Sequence, residues 1–207
     1  MNFVMLERFT FDDPKERLDQ MRLVCMDSFR RFLLGDWEFL LVGTLRDAPP
    51  RSWHRAIEHQ FRRVAELWKH GHNVLIVSPD VICVKPTPMF SRLGMQLFWY
   101  TDPEPLLNGG VVYVGRSTEA DVMHYMLSEL ARVDDGDDWG ATQRILNETF
   151  YRQRFQPVLE NAMNWSPQVR NEIPKSAAHI IHHHYTRDRV GTLAKMQADW
   201  RSVQEAI

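Results

Sequence analysis

The sequence predicts an α/β fold, a mixed and mostly parallel central sheet flanked by helices. Two observations predict it. The run Asn73-Val74-Leu75-Ile76-Val77 is β-branched and aliphatic without polar alternation, the pattern of a strand buried on both faces, and such strands belong to parallel sheets covered by helices. Before and after it, strand-like and helix-like segments alternate along the chain, as in βαβ units.

In order, residues 2–9 read as a first strand. Asp12-Asp13-Pro14 suits a helix start, since Pro is tolerated in the first turn and acids complement the helix dipole. Residues 15–34 carry Leu18, Met21, Val24, Cys25, Phe29 and Phe32 at helical spacing, and Gly35 closes that helix. Residues 37–42 form a second strand, followed by a turn at Pro49-Pro50. Residues 52–70 form a second helix with Ala56, Phe61, Val64, Leu67 and Trp68 on its apolar face, stopped by Gly71. The buried strand then leads to Asp80. Further on, residues 94–100, 111–114 and 177–181 read as strands. Residues 119–133, 142–154 and about 190 onward read as helices. The intervening Leu107-Asn108-Gly109-Gly110 and the acidic 134–140 stretch are rich in Asn, Gly and Asp, so both read as loops where a ligand would be met.

At 207 residues, 44% hydrophobic and 25% charged, the chain fits one domain, 1–207, with a sizeable core. A net charge of −2 without a long basic run disfavours a nucleic-acid groove. Cys25 and Cys83 both sit in apolar settings, which points away from a disulfide framework and toward a reducing, cytoplasmic compartment. No apolar run approaches the roughly 18 residues a transmembrane helix needs.

Asp80 is the first candidate for chemistry. It lies just past a strand's carboxyl end, where open α/β sheets bind ligands. A carboxylate there can hold a divalent cation, and the cation the phosphates of a nucleotide. The competing reading makes Asp80 a turn former after Pro79. His182-His183-His184 emerge at the end of the last strand, where successive side chains point to opposite faces. That leaves His182 and His184 on one side, as ligands or as solvated residues.

The order of these motifs resembles the GT-A glycosyltransferases of the nucleotide-diphospho-sugar transferase superfamily. The residues that carry the resemblance are Ser78-Pro79-Asp80, Asn108-Gly109-Gly110 before Val111 to Val114, Asp137-Asp138 leading to Gln143 and Asn147, Asn164-Trp165, and Ile180-Ile181-His182. It covers roughly residues 73–189. The preceding βαβα stretch is consistent with a nucleotide-binding N-terminal half. The chain is short for this family, which is compatible with one domain of a longer protein.

The resemblance implies transfer of a sugar from a nucleotide diphosphate sugar, carried on UDP or GDP, to a carbohydrate or other hydroxyl acceptor, assisted by Mn²⁺ or Mg²⁺. It makes Asp80 the metal ligand, His182 its partner and His184 the alternate. Ser78 stands where the family has the first acid of its Asp-x-Asp motif, so a hydroxyl without charge would meet the ribose or a bound water. Arg187 and Arg189 would neutralise the leaving diphosphate, or are surface charges at a helix start. Asn108, Gly109 and Gln143 would line the donor site, although Asn-Gly also favours a plain hairpin turn. Asp137 or Asp138 would be the general base of an inverting enzyme, or would position the sugar in a retaining one; an N-cap is the structural alternative for either. The end of the first strand, Arg8 to Phe11, is the expected side of base recognition. Arg55, Arg62 and Arg63 read as surface charges of the second helix. A nucleotidyltransferase would need a Gly-rich loop after the first strand, which Arg8-Phe9-Thr10-Phe11 lacks. The stronger rival is a non-catalytic nucleotide-sugar-binding module, suggested by Ser78.

Overall fold

The computed structural model describes residues 1–7, 15–42, 53–87, 95–101, 105–134, 140–154, 165–166, 174–183 and 189–207. Side chains are described for all of these except 7, 15–18, 42, 53, 95–101, 105–108, 189 and 190. The expectations placed on Arg8 to Phe11, Pro49-Pro50, Asp137, Asp138, Asn164, His184 and Arg187 lie outside the described residues.

The strands are β1 Asn2–Glu7, β2 Trp37–Val42, β3 Asn73–Val77, β4 Val81–Cys83, β5 Met95–Thr101, β6 Pro105–Val114 and β7 Ile180–His182. The helices are α1 Lys15–Phe32, α2 Trp53–Lys69, α3 Ala120–Arg132, α4 Ala141–Tyr151 and α5 Arg189–Glu205, with a 3₁₀ turn at Lys175–Ala177. A five-stranded sheet has the order β2-β1-β3-β6-β5. β1 pairs in parallel with β2 and β3, while β6 is antiparallel to both β3 and β5. β5 therefore runs in the direction of β1, β2 and β3, and the sheet is mixed and mostly parallel. No described helix is long and apolar enough to cross a membrane.

Side chains alternate across the sheet with the period of two that a strand imposes. Phe3, Met5, Val74, Ile76, Val112 and Val114 meet Ile57, Phe61 and Val64 of α2, Met123 and Met126 of α3, and Leu146 and Phe150 of α4. Val4, Leu6, Leu75, Val77, Val111 and Tyr113 meet Cys25 and Phe29 of α1 on the other face. Full burial of such side chains stabilises by about 1.5–3 kcal/mol each. Gly35 (φ +99°) and Gly71 (φ +76°) follow α1 and α2 in the left-handed region that lets a helix stop and the chain turn back.

β1 leads through α1 to β2 on one side, and the chain then returns through α2 on the opposite face to β3 on the other side. The strand order thus reverses between β1 and β3. The crevice at their carboxyl ends is where this class of sheet takes ligands, and residues 78–80 leave β3 at that point.

Three expectations change. Leu107-Asn108-Gly109-Gly110 is not a loop: it lies inside β6, paired to β5 through Leu107 and Trp99. Ladder bonding and close helix packing override the low strand propensity of Asn and Gly. Val81-Ile82-Cys83, assigned no element in the sequence, is a separate strand in a two-stranded ribbon with β7. The expected strand over residues 177–181 begins later, because Lys175–Ala177 is a 3₁₀ turn, and it ends on His182.

Candidate functional site

The turn after β3 is fixed from several directions. The Ser78 N–H donates to the Gly110 carbonyl at 2.9 Å, extending the β3/β6 ladder by one rung, and the Val81 N–H reaches the Ser78 carbonyl at 3.3 Å. The Cys25 thiol of α1 lies 3.9 Å from that same carbonyl. A Pro in the middle of the turn donates no hydrogen bond and stiffens it further. Asp80 is carried out of the sheet by this turn and into β4.

The ribbon brings the far end of the chain to Asp80. Val81 opposes His182 in the antiparallel register. The His183 N–H donates to the Asp80 carbonyl at 2.9 Å, and the His182 N–H donates to the Trp165 carbonyl at 2.7 Å. Trp165 forms a parallel bridge with Ile181. With both backbones held, the His182 Nε2 lies 3.3 Å from the Asp80 Oδ1. Asp80 is 4% exposed and His182 5%. Residues 102 positions apart in the chain thus meet in a low-dielectric setting where an interaction between them is strengthened.

His183 points the other way, as strand alternation demands. Its Nε2 lies 3.4 Å from the Asp199 Oδ2 of α5. Lys175 donates to both oxygens of Asp199 at 2.7 Å. Burial pulls the His183 pKa from 6.5 to about 4, against the opposing pull of Asp199 and Asp80, so its imidazole is neutral at pH 7. Asp199 escaped the sequence reading. Its signal there is an acid three residues after Met196, on the stripe that α5 buries.

Gly109 and Gln143 are brought together by a backbone-to-side-chain hydrogen bond. The Gly109 N–H donates to the Gln143 Oε1 at 2.8 Å. A Cβ on Gly109 would meet the Leu146 Cδ1 at 3.0 Å and the Gln143 Oε1 at 3.2 Å. The missing side chain therefore lets α4 approach β6, and α4 holds the strand segment next to Ser78. Asn147, one turn further along α4, donates its amide to the Gln143 carbonyl at 2.8 Å. Asn108 lies on the same β6 segment, and Arg189 opens α5.

Arg55 and Arg62 both bond Glu58, whose pKa falls because these two guanidiniums outweigh the effect of burial. Arg63 pairs with Glu66. The three arginines of α2 thus form surface ion pairs within the helix. Cys25 and Cys83 are free and buried. Burial pushes the Cys83 thiol up to about 12 and the Cys25 thiol well above its ordinary 9.0, so neither is a thiolate at neutral pH.

Asp80 and His182 offer one hard oxygen and one imidazole nitrogen. Their 3.3 Å spacing is close to the ~3.0 Å between neighbouring ligands of an octahedral cation bound at about 2.1 Å. The pair fits a divalent ion as part of a donor set. Among the described residues, no group of three or more His, Cys, Asp or Glu is placed to hold a metal alone. A cation here would draw on further oxygens, such as substrate phosphates.

No family model matches the sequence, and no curated protein is similar to it. Solved structures are. A glycosyltransferase involved in the glycosylation of the major capsid of PBCV-1 superposes with a TM-score of 0.65 at 11% identity, over 95% of this chain and 98% of that one. The apo form of the glycosyltransferase GlyE from Streptococcus pneumoniae TIGR4 gives 0.58 at 14% identity, over 99% and 62%. The bifunctional glycosyltransferase WbbM in its apo form gives 0.55 at 8% identity, over 98% and 51%. The chain spans nearly all of the first, about three fifths of GlyE and half of WbbM. Its fold is that of the glycosyltransferases.

Proposed function

We propose that the protein is a metal-assisted glycosyltransferase that moves a sugar from a nucleotide diphosphate sugar to a carbohydrate or other hydroxyl acceptor. The observation that carries this reading is the meeting of Asp80 and His182, both buried, at the carboxyl end of β3 where the strand order reverses. A Mn²⁺ or Mg²⁺ ion held by this pair would neutralise charge on the departing diphosphate.

The chain's own residues do the rest. Ser78 presents a hydroxyl toward the nucleotide from a turn anchored to Gly110 and Cys25. Gln143 holds the Gly109 backbone, so that β6, with Asn108, continues the sheet past Ser78 and walls the donor site. Arg187 and Arg189 supply fixed positive charge to the diphosphate. Asp137 or Asp138 takes the acceptor proton if configuration is inverted, and orients the sugar if it is retained.

A second reading is favoured by one feature. Ser78 carries no charge where the resembled family has an acid, which suits a module that binds nucleotide sugar without turning it over. Release of nucleoside diphosphate from a panel of UDP- and GDP-sugars, with Mn²⁺ and with chelator, separates the two. Metal-dependent release from one donor is the expected result. Binding of a donor without release of the diphosphate would favour the module, and neither binding nor release would overturn both.

A further inference from the structure

The geometry points to Asp199 as a positioning residue: one carboxylate on α5 holds both ends of the segment Lys175 to His183 and thereby sets His182 against Asp80. This inference rests on the reading of Asp80 and His182 as the cation and donor pair.

The strand that delivers His182 is only three residues long, and its partner β4 is equally short. A two-stranded ribbon of this size has little stability of its own. Its register must come from what it packs on. Apolar packing supplies part: Ile82, Ala178 and Ile181 meet Leu193 and Met196 of α5 and Met21 of α1. Such contacts are non-directional and tolerate small slips. The polar contacts converge on one carboxylate. Lys175, before β7, donates to both Asp199 oxygens at 2.7 Å, and His183, after the ligand, lies 3.4 Å from the same carboxylate.

His182 is one residue from His183 and on the opposite face of the strand. Any slide or rotation of β7 that opened the Asp199 contact would also carry the His182 ring away from Asp80. The backbone couples the two sites a second time, because the His183 N–H bonds the Asp80 carbonyl. α5 is itself pinned to α1, through the Trp200 Nε1–H donated to Asp27 at 3.0 Å. The path from α1 through α5 to His182 therefore runs over rigid elements. Groups outside a ligand shell that orient its members commonly change metal affinity ten- to a hundredfold when altered. An exposed Lys–Asp pair, by contrast, adds little to stability. The pair's effect belongs in the site rather than in the melting temperature.

The experiment compares Asp199→Asn with Met196→Ala, which loosens the same helix without touching a polar contact, and with Asp199→Glu as the conservative variant. Two quantities are read on the full chain. One is binding of Mn²⁺ alone, followed by electron paramagnetic resonance. The other is the His182 ring signal in a histidine ¹⁵N spectrum, assigned with His182→Gln. Asp199→Asn is expected to weaken Mn²⁺ at least about tenfold and to move the His182 signal. Met196→Ala, despite a greater loss of thermal stability, is expected to change both clearly less than Asp199→Asn does, and Asp199→Glu to restore most of the Mn²⁺ affinity. Native-like Mn²⁺ binding and an unmoved His182 signal in Asp199→Asn would overturn the inference, as would an equal effect of Met196→Ala. If the native protein takes up no Mn²⁺, the cation reading of Asp80 and His182 fails. The ring signal then decides the positioning claim: moved by Asp199→Asn alone it supports the claim, unmoved it overturns it.

Discussion

The five-stranded sheet and the β4/β7 ribbon solve the same problem by different means. In the sheet, β1 and β3 bury aliphatic side chains on both faces, and any one strand is held by neighbours along its whole length. In the ribbon, each strand has three residues, and the buried positions include Asp80, His182 and His183. The sheet draws its stability from area; the ribbon draws its geometry from a few directional contacts. The difference places a rigid apolar frame directly beside a small element that carries polar groups, so the chemistry can be tuned without remaking the core.

If that division holds, the largest stability loss belongs to the frame. Phe61, 2% exposed between α2 and the sheet, should cost about 3–5 kcal/mol on conversion to Ala, read by urea unfolding, while the protein that remains folded binds donor as before. A loss of donor binding with little loss of stability would break the comparison.

The next largest effect belongs to the ribbon and depends on pH. The His183 pKa is lowered from 6.5 to about 4 by burial. As pH falls below 6.5 the unfolded chain gains a proton that the folded one refuses, so stability falls from pH 6.5 down to about 4 and levels off below. The span corresponds to at most about 3 kcal/mol. Denaturant unfolding of native protein and His183→Gln across that window measures it, and an unchanged slope in the variant would contradict the assignment.

Gly109→Ala tests the seam between frame and site. Its Cβ would lie 3.0 Å from Leu146 and 3.2 Å from Gln143, so either α4 or β6 must give, at about 1–3 kcal/mol. Thermal unfolding reads the cost. A neutral outcome would mean that the glycine serves the ligand rather than the packing.

The smallest effect is kinetic. Cys25 lies on the frame helix α1 and Cys83 in the ribbon, and both thiols are buried and protonated at neutral pH. Alkylation under native conditions should be slow at both and should reach Cys83 first, through local opening of the ribbon. Simultaneous labelling, resolved by mass spectrometry of peptides, would show that the two regions open as one.

The frame was readable in the sequence because its cues are local. Val74 to Val77 announce a doubly buried strand, and Gly35 and Gly71 follow helix ends by three and two residues. The carboxyl-end position of Asp80 follows from that reading. The ribbon was not readable, since Val81-Ile82-Cys83 is only three residues long and its pairing with β7, about a hundred residues on, is what makes it a strand. Asp199 was missed for the same reason: nothing near it in sequence signals His183 or Lys175. Asn108-Gly109-Gly110 misled in the opposite direction. Their turn-like composition is local, but the packing of α4 against Gly109 is not.

The most direct test of the account is a double-mutant cycle on Asp80→Ala and His182→Ala, with calorimetric titration of the nucleotide sugar that the native protein binds best in Mn²⁺. If the two residues serve one cation and one diphosphate, each single change weakens metal-dependent binding, and the double change costs less than the sum, by at least about 1 kcal/mol. Additive losses, or donor binding that survives both substitutions, would contradict the claim that the Asp80–His182 pair is the centre of the site.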